Sequence, residues 1–251
     1  MVDDRGPAAY LAEFIGTLFL VLFITLAASG FIQQATPQNP APFIDWSVIG
    51  LVHTFALFVL IQTLAVVSGA HFNPAVTVAM TALRQIKPPD AAIYVVAQLA
   101  GAVAGALLTK VLLTEFDNAE QVNFGAPAPG DRLDGKAGLG MLGEFLGTFF
   151  LMWAIVGVAV NPSAFKEWAA LAIGAALGLA VFVIGPLTGG SFNPARAFGP
   201  ALVSGEFGGA GNFLLAYVAG PVLGALAAAF LFFYVLMAPG AKGTTGMEPV
   251  G

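Results

Sequence analysis

Two Asn-Pro-Ala triplets, Asn73-Pro74-Ala75 and Asn193-Pro194-Ala195, stand in hydrophobic surroundings, each pairing a side-chain amide with the residue types that begin a helix. Asn caps free helix amides and Pro fits the first helical position, so each triplet predicts the start of a short helix. The chemistry on offer is hydrogen bonding: amide groups that cap their own helices and still present an N–H to something passing. Asn161-Pro162-Ser163 is a useful control, because it has no partner segment and reads as an ordinary turn. Nothing points to catalysis. Cysteine is absent, His53 and His71 lack metal-site spacing, no phosphate-binding loop is present, and the acids within apolar stretches come singly, as Glu13 and Glu144. The chain is therefore not expected to be an enzyme or to hold a metal or cofactor.

The elements that must position the triplets follow from composition. With 251 residues, 58% hydrophobic and 9% charged, the chain has too little polar surface for a soluble globule,. It reads as an integral, multi-pass membrane protein, and nucleic acid is excluded as a partner. Six segments suffice to cross about 30 Å of hydrocarbon: 8–32, 46–67, 91–113, 139–160, 168–186 and 212–236,. The stretches 73–83 and 193–203 are too short and read as re-entrant half-helices, tolerated at that depth only inside protein or beside water.

The halves also repeat elsewhere: AEFIGTLFL from Ala12 aligns with GEFLGTFFL from Gly143, which sets Glu13 beside Glu144. Three spans per half is an odd number, so the second half runs inverted relative to the first and both half-helices meet at the midplane. The expected fold is all-α and transmembrane, with six spanning helices plus two half-helices. It forms one domain over 1–251, in which inverted repeats 8–113 and 139–236 are joined by an external loop, 114–138. Arg5, Arg84, Lys87, Lys166 and Lys242 fall on one side, and Lys110, Arg132 and Lys136 on the other. This bias predicts cytoplasmic termini, in a cell membrane. Small residues four apart, at Gly101 and Gly105, Gly143 and Gly147, Gly174 and Gly178, and Gly220 and Gly224, predict close helix crossings,.

Within that frame Arg196 is the costliest residue, since a charge near the bilayer interior costs at least about 2.5 to 3.5 kcal/mol. It lies one turn beyond Asn193 on the same helix face, and no acid nearby in sequence offers an ion pair,. It is expected to line a central pore. Opposed helix N-termini would place two positive dipole ends at the midplane and repel cations.

Together the paired triplets, the AEF-x-GT repeat, SGAHFNPA and NPARAFGP resemble the aquaporin (major intrinsic protein) family over nearly the whole chain. The resemblance implies a water- or small-solute-conducting pore in each subunit of a homotetramer. It also implies that Glu13 and Glu144 support the re-entrant loops, whose carbonyls at Gly69, Ala70, His71, Gly189 and Ser191 line the pore. By spacing from the triplets, the family's selectivity filter falls on His53, Val181, Gly190 and Arg196. The commonest water-selective pattern has Phe in place of His53 and His in place of Val181. This ring instead resembles that of plant vacuolar aquaporins, some of which pass ammonia besides water. Glycerol channels carry two aromatics in the ring, and usually Asp and a basic residue where Ala197 and Ala201 stand here. Water, with ammonia or another small neutral solute, is thus the expected permeant. A glycerol or small-polyol facilitator is the alternative. An ion-coupled secondary transporter, from a different class, would need a midplane ion-binding cluster that the sequence does not show.

Overall fold

The computed structural model describes residues 5–34, 45–114, 120–128, 133 and 136–237. In chain order the helices that shape the molecule are α1 (Pro7–Gln34), α2 (Trp46–Ser68), α3 (Pro74–Ala82), α4 (Pro88–Leu112), α5 (Ala137–Val160), α6 (Lys166–Thr188), α7 (Pro194–Ser204) and α8 (Ala210–Leu236). Six of them are long and apolar enough to cross a membrane. The other two, α3 with 9 residues and α7 with 11, reach only about 14 and 17 Å at 1.5 Å per residue. That is half of a bilayer core of about 30 Å.

Local sequence sets the helix ends. Asp45 starts α2 by accepting from the Ser47 and Val48 amides. Prolines stand in the first turn of α3, α4 and α7, where a missing N–H costs nothing,. Pro88 starts the third span three residues before the apolar stretch that marks it in sequence, because hydrophobicity outlines only the lipid-facing length of a helix. α2 and α6 both stop at a left-handed glycine, Gly69 (φ 86°) and Gly189 (φ 80°),. α5 and α8 finish in π-helical windings, Val156–Val160 and Leu231–Leu236.

Packing follows the small residues. A Cβ on Gly101 or Gly105 would lie 2.3 or 2.5 Å from a carbonyl of α1, one on Gly178 would lie 2.4 Å from Gly50 O in α2, and one on Gly224 would lie 2.2 Å from Phe145 O in α5. Backbones therefore cross at distances no larger side chain allows. The pair in α5 does something else: Gly143 meets Thr188, and Gly147 meets the ring of Phe192. Leu51, Phe55, Phe182 and Val183 point outward, leaving the interior to α3, α7 and the loops before them. Of loop 114–138, residues 114, 120–128, 133 and 136–138 are described, whereas Arg132 and Lys242 lie outside the described residues.

Candidate functional site

The repeated Glu-Phe-x-Gly-Thr pattern of α1 and α5 builds the seats for the two loops. Glu13, fully buried, accepts from Ser68 Oγ (2.7 Å), His71 N (2.9 Å), Phe72 N (2.7 Å) and Gln98 Nε2 (2.8 Å). Glu144, equally buried, accepts from Thr188 Oγ1 (2.7 Å), Ser191 N (3.0 Å) and Phe192 N. A buried carboxylate is costly unless it is saturated with donors, and here the loop amides supply them. Three residues on, Gly16 and Gly147 leave room for the Phe72 and Phe192 rings, which a Cβ would approach to 2.1 Å. Thr17 and Thr148 then donate back to the Glu13 and Glu144 carbonyls, both at 2.7 Å. From outside, the Tyr94 and Tyr217 hydroxyls donate to Ser68 O and Thr188 O, again both at 2.7 Å.

So held, each loop delivers its asparagine to the centre of the molecule. Asn73 Oδ1 accepts from Ala75 N, and Asn193 Oδ1 accepts from Ala195 N and Arg196 N. Each amide nitrogen then reaches into the opposite half: Asn73 Nδ2 donates to Phe192 O at 2.9 Å, and Asn193 Nδ2 to Phe72 O at 2.8 Å. An amide NH₂ has two hydrogens, so one N–H per asparagine is left over. The arrangement joins two helix N-termini, and hence two positive dipole ends, at one point.

A cavity of about 240 Å³ runs past this point. Its lining includes the apolar Leu20, Ile24, Leu57, Leu151, Ile173 and Leu177, and the polar His53, His71, Asn73, Ser191, Asn193 and Arg196. Lys166 marks one end, its Nζ donating to the carbonyls of Val158, Ala159 and Asn161. His53 and Arg196, 1% and 2% exposed, belong to the other. His53 Nδ1 lies 2.8 Å from Ile49 O, and a carbonyl only accepts, so the ring proton sits there and Nε2 is left as an acceptor with no partner among the described residues,. Arg196 Nη1 donates to Gly125 O at 2.9 Å, while its Nε has no partner among the described residues. One acceptor and one fixed cation thus belong to the same end of the cavity.

The structure brings Gly69, Ala70, His71 and Ser191 into the cavity wall together with both asparagines, His53 and Arg196. Val181 and Gly190 are not in that wall but adjoin each other, a Cβ on Gly190 lying 3.6 Å from Val181 Cα. Gly189 is the cap of α6, directly before Gly190. Pro74, Ala75, Pro194 and Ala195 are buried in the first turns of their half-helices. His71 also bonds Thr77 through Nδ1, at 3.1 Å. Sequence reasoning missed Phe72, Phe192, Tyr94, Gln98 and Gly125, and marked Tyr217 only as fitting the water-channel pattern, not as a partner of the loop. The shared Phe before each triplet and the Gly of each Glu-Phe-x-Gly-Thr were visible signals for the first pair, but nothing in the sequence marks Gly125. Among the described residues no cluster of three or more His, Cys, Asp or Glu is placed to hold a metal.

Residues 6–232 match the sequence profile of the Major intrinsic protein family. Among similar proteins, Aquaporin AqpM from Methanothermobacter thermautotrophicus is 37% identical over 242 residues, covering 90% of this chain and 96% of that protein. Nodulin-26 from Glycine max is 37% identical over 222 residues, covering 88% and 75%. In structure, the aquaglyceroporin from Plasmodium falciparum superposes with a TM-score of 0.75 at 22% identity, over 91% of this chain and 96% of that one, which is a likeness of fold.

Proposed function

The chain belongs to the major intrinsic protein family, the aquaporins, whose members are passive channels and not enzymes, and from that premise we propose that it conducts water down osmotic gradients, passes ammonia and other small neutral solutes, and excludes protons and ions. The observation that carries this reading is the pair of asparagines with one unused N–H each, in a cavity whose lining is otherwise largely apolar. Such a lining hydrogen-bonds a water file at a few points without holding it. The opposed dipole ends repel cations at the same level.

The filter of the proposal is the ring His53, Val181, Gly190 and Arg196. Its support is the shared cavity end of His53 and Arg196 and the adjacency of Val181 and Gly190. In it His53 Nε2 accepts from the permeant and Arg196 donates, which suits a solute that does both, as water and ammonia do. Gly69, Ala70, His71, Gly189 and Ser191 offer carbonyls on either side of the asparagines. The pore works in each subunit of a homotetramer in the plasma membrane, with both termini cytoplasmic as the Lys and Arg distribution favours. A glycerol facilitator is the competing reading, favoured by the small Val181 and Gly190 side chains. Stopped-flow light scattering of proteoliposomes under sucrose, glycerol and ammonium gradients separates them: fast shrinkage in sucrose without glycerol-driven reswelling is expected, and rapid reswelling in glycerol overturns it. Arg196→Val is expected to raise glycerol and urea permeability several-fold relative to water.

A further inference from the structure

The guanidinium of Arg196 is aimed from outside its own helix. Among the described residues its one hydrogen bond goes to the carbonyl of Gly125, 71 residues away in the connection between the halves. Its direction therefore depends on whatever holds that carbonyl. The segment Glu120–Gly125 has non-helical backbone at Asn123 (φ 47°) and Phe124 (φ 46°), both left-handed. Asn tolerates that region, but a bulky residue such as Phe does not adopt it without being held. A strained conformation of this kind is sustained by its surroundings.

Those surroundings can be named. Phe124 is 4% exposed, and the ammonium of Lys110 lies 5.3 Å from its ring centroid. Gly125 rests directly on α1, where a Cβ would stand 2.8 Å from both Cα and O of Thr25. Thr25 is tied across to Thr109, the neighbour of Lys110, by a hydroxyl pair at 2.6 Å. Just past Gly125 the chain lies against the second loop, where a Cβ on Gly189 would come within 2.8 Å of Ala128 N. Residues 120–128 thus bridge from α1 and α4 of the first half to the loop bearing Gly190 in the second.

We propose that Phe124, pinned by Lys110, is a positioning residue for solute selectivity: it fixes the Gly125 carbonyl, which fixes the direction of Arg196. The inference rests on Arg196 being part of the filter. With the ring removed, the segment is free to leave the left-handed region, the carbonyl moves off, and the guanidinium loses that anchor. The asparagine pair and the caps of both half-helices stay in place, because none of those hydrogen bonds involves this segment.

The test is the ratio of glycerol to water permeability in proteoliposomes for the wild type, Arg196→Val, Phe124→Ala, Phe124→Tyr and Lys110→Met. A residue that merely packed the loop would change yield and melting temperature but not this ratio. Phe124→Ala is expected to raise the ratio several-fold, in the direction of Arg196→Val, and Phe124→Tyr to restore it. Lys110→Met, which removes only an exposed cation, is expected to raise it about twofold, the weight of an exposed cation–π contact. A ratio that rises in Arg196→Val but stays at wild type in Phe124→Ala overturns the positioning role and leaves the filter standing. If Phe124→Ala does not fold, Lys110→Met decides, an unchanged ratio overturning the role. A ratio unmoved by Arg196→Val brings down the filter assignment itself.

Discussion

In the first re-entrant loop the Glu13 carboxylate gathers four donors, the last of them Gln98 Nε2, which also donates to Thr77 Oγ1 at 2.9 Å. In the second loop Glu144 gathers three, and Pro221 stands in α8 where Gln98 stands in α4, counted from the matched Tyr94 and Tyr217. His71, bonded to Thr77, is matched by Ser191, which bonds Asn193 O only two residues on at 2.8 Å. Val76 lies where Arg196 lies in the other half, and Ala70 where Gly190 does. What the halves share is the apparatus that turns a chain round at mid-membrane: a carboxylate for the amides, a Gly for the Phe ring, a Tyr for the last carbonyl. What differs is how tightly the loop is tied and what it presents. The loop with fewer internal ties carries the cation and is steadied instead by the Gly125 segment.

The heaviest blow to this comparison is removal of the carboxylates. Glu13→Ala strands four donors and Glu144→Ala three, at about 1 to 3 kcal/mol for each buried group left unpaired. Both variants should lose most of their folded yield, Glu13→Ala the more completely, as read by melting of the detergent-solubilised protein. Equal or reversed losses would show that Gln98 adds nothing to the first loop. A smaller and symmetrical effect is expected for Gly16→Ala and Gly147→Ala, which drive a methyl into the Phe72 or Phe192 ring. Overpacking of that kind costs about 1 to 3 kcal/mol, and melting temperatures that fall alike would confirm the shared seat. The finest distinction lies at Ala70. Its φ of 52° is one that Gly190 adopts freely at 60°. Ala70→Gly relieves left-handed strain but loosens the unfolded chain, for a net gain of about 0.5 kcal/mol. A lower melting temperature for Ala70→Gly would mean that the first loop needs the methyl for packing.

Much of the architecture was legible because it is periodic or repeated. The six apolar lengths, the doubled triplet and the odd number of spans per half lead to six membrane-length helices around two half-helices whose ends meet. Gly101 and Gly224 could be read as crossing points from spacing alone. Gly147 could not be distinguished from them, since whether a small residue admits a helix backbone or a Phe ring depends on what the fold brings opposite. The asparagine bonds to Phe192 O and Phe72 O were also hidden, because choice of partner across more than a hundred residues leaves no local pattern. The π-helical ends of α5 and α8 carry no sequence mark either. Gly125 was least legible of all: its role comes from a carbonyl, a group every residue has.

The exchanged asparagine bonds set an order of events during synthesis. Asn73 finds its acceptor 119 residues later in the chain, and α2 meets its partner glycines only when α6 is made. A ribosome that has delivered the first three spans into the bilayer has therefore delivered half a structure, with a short helix whose tip has nothing to bond. The closed core is a product of the finished chain, reached when the second half arrives inverted and each half supplies the carbonyl the other lacks.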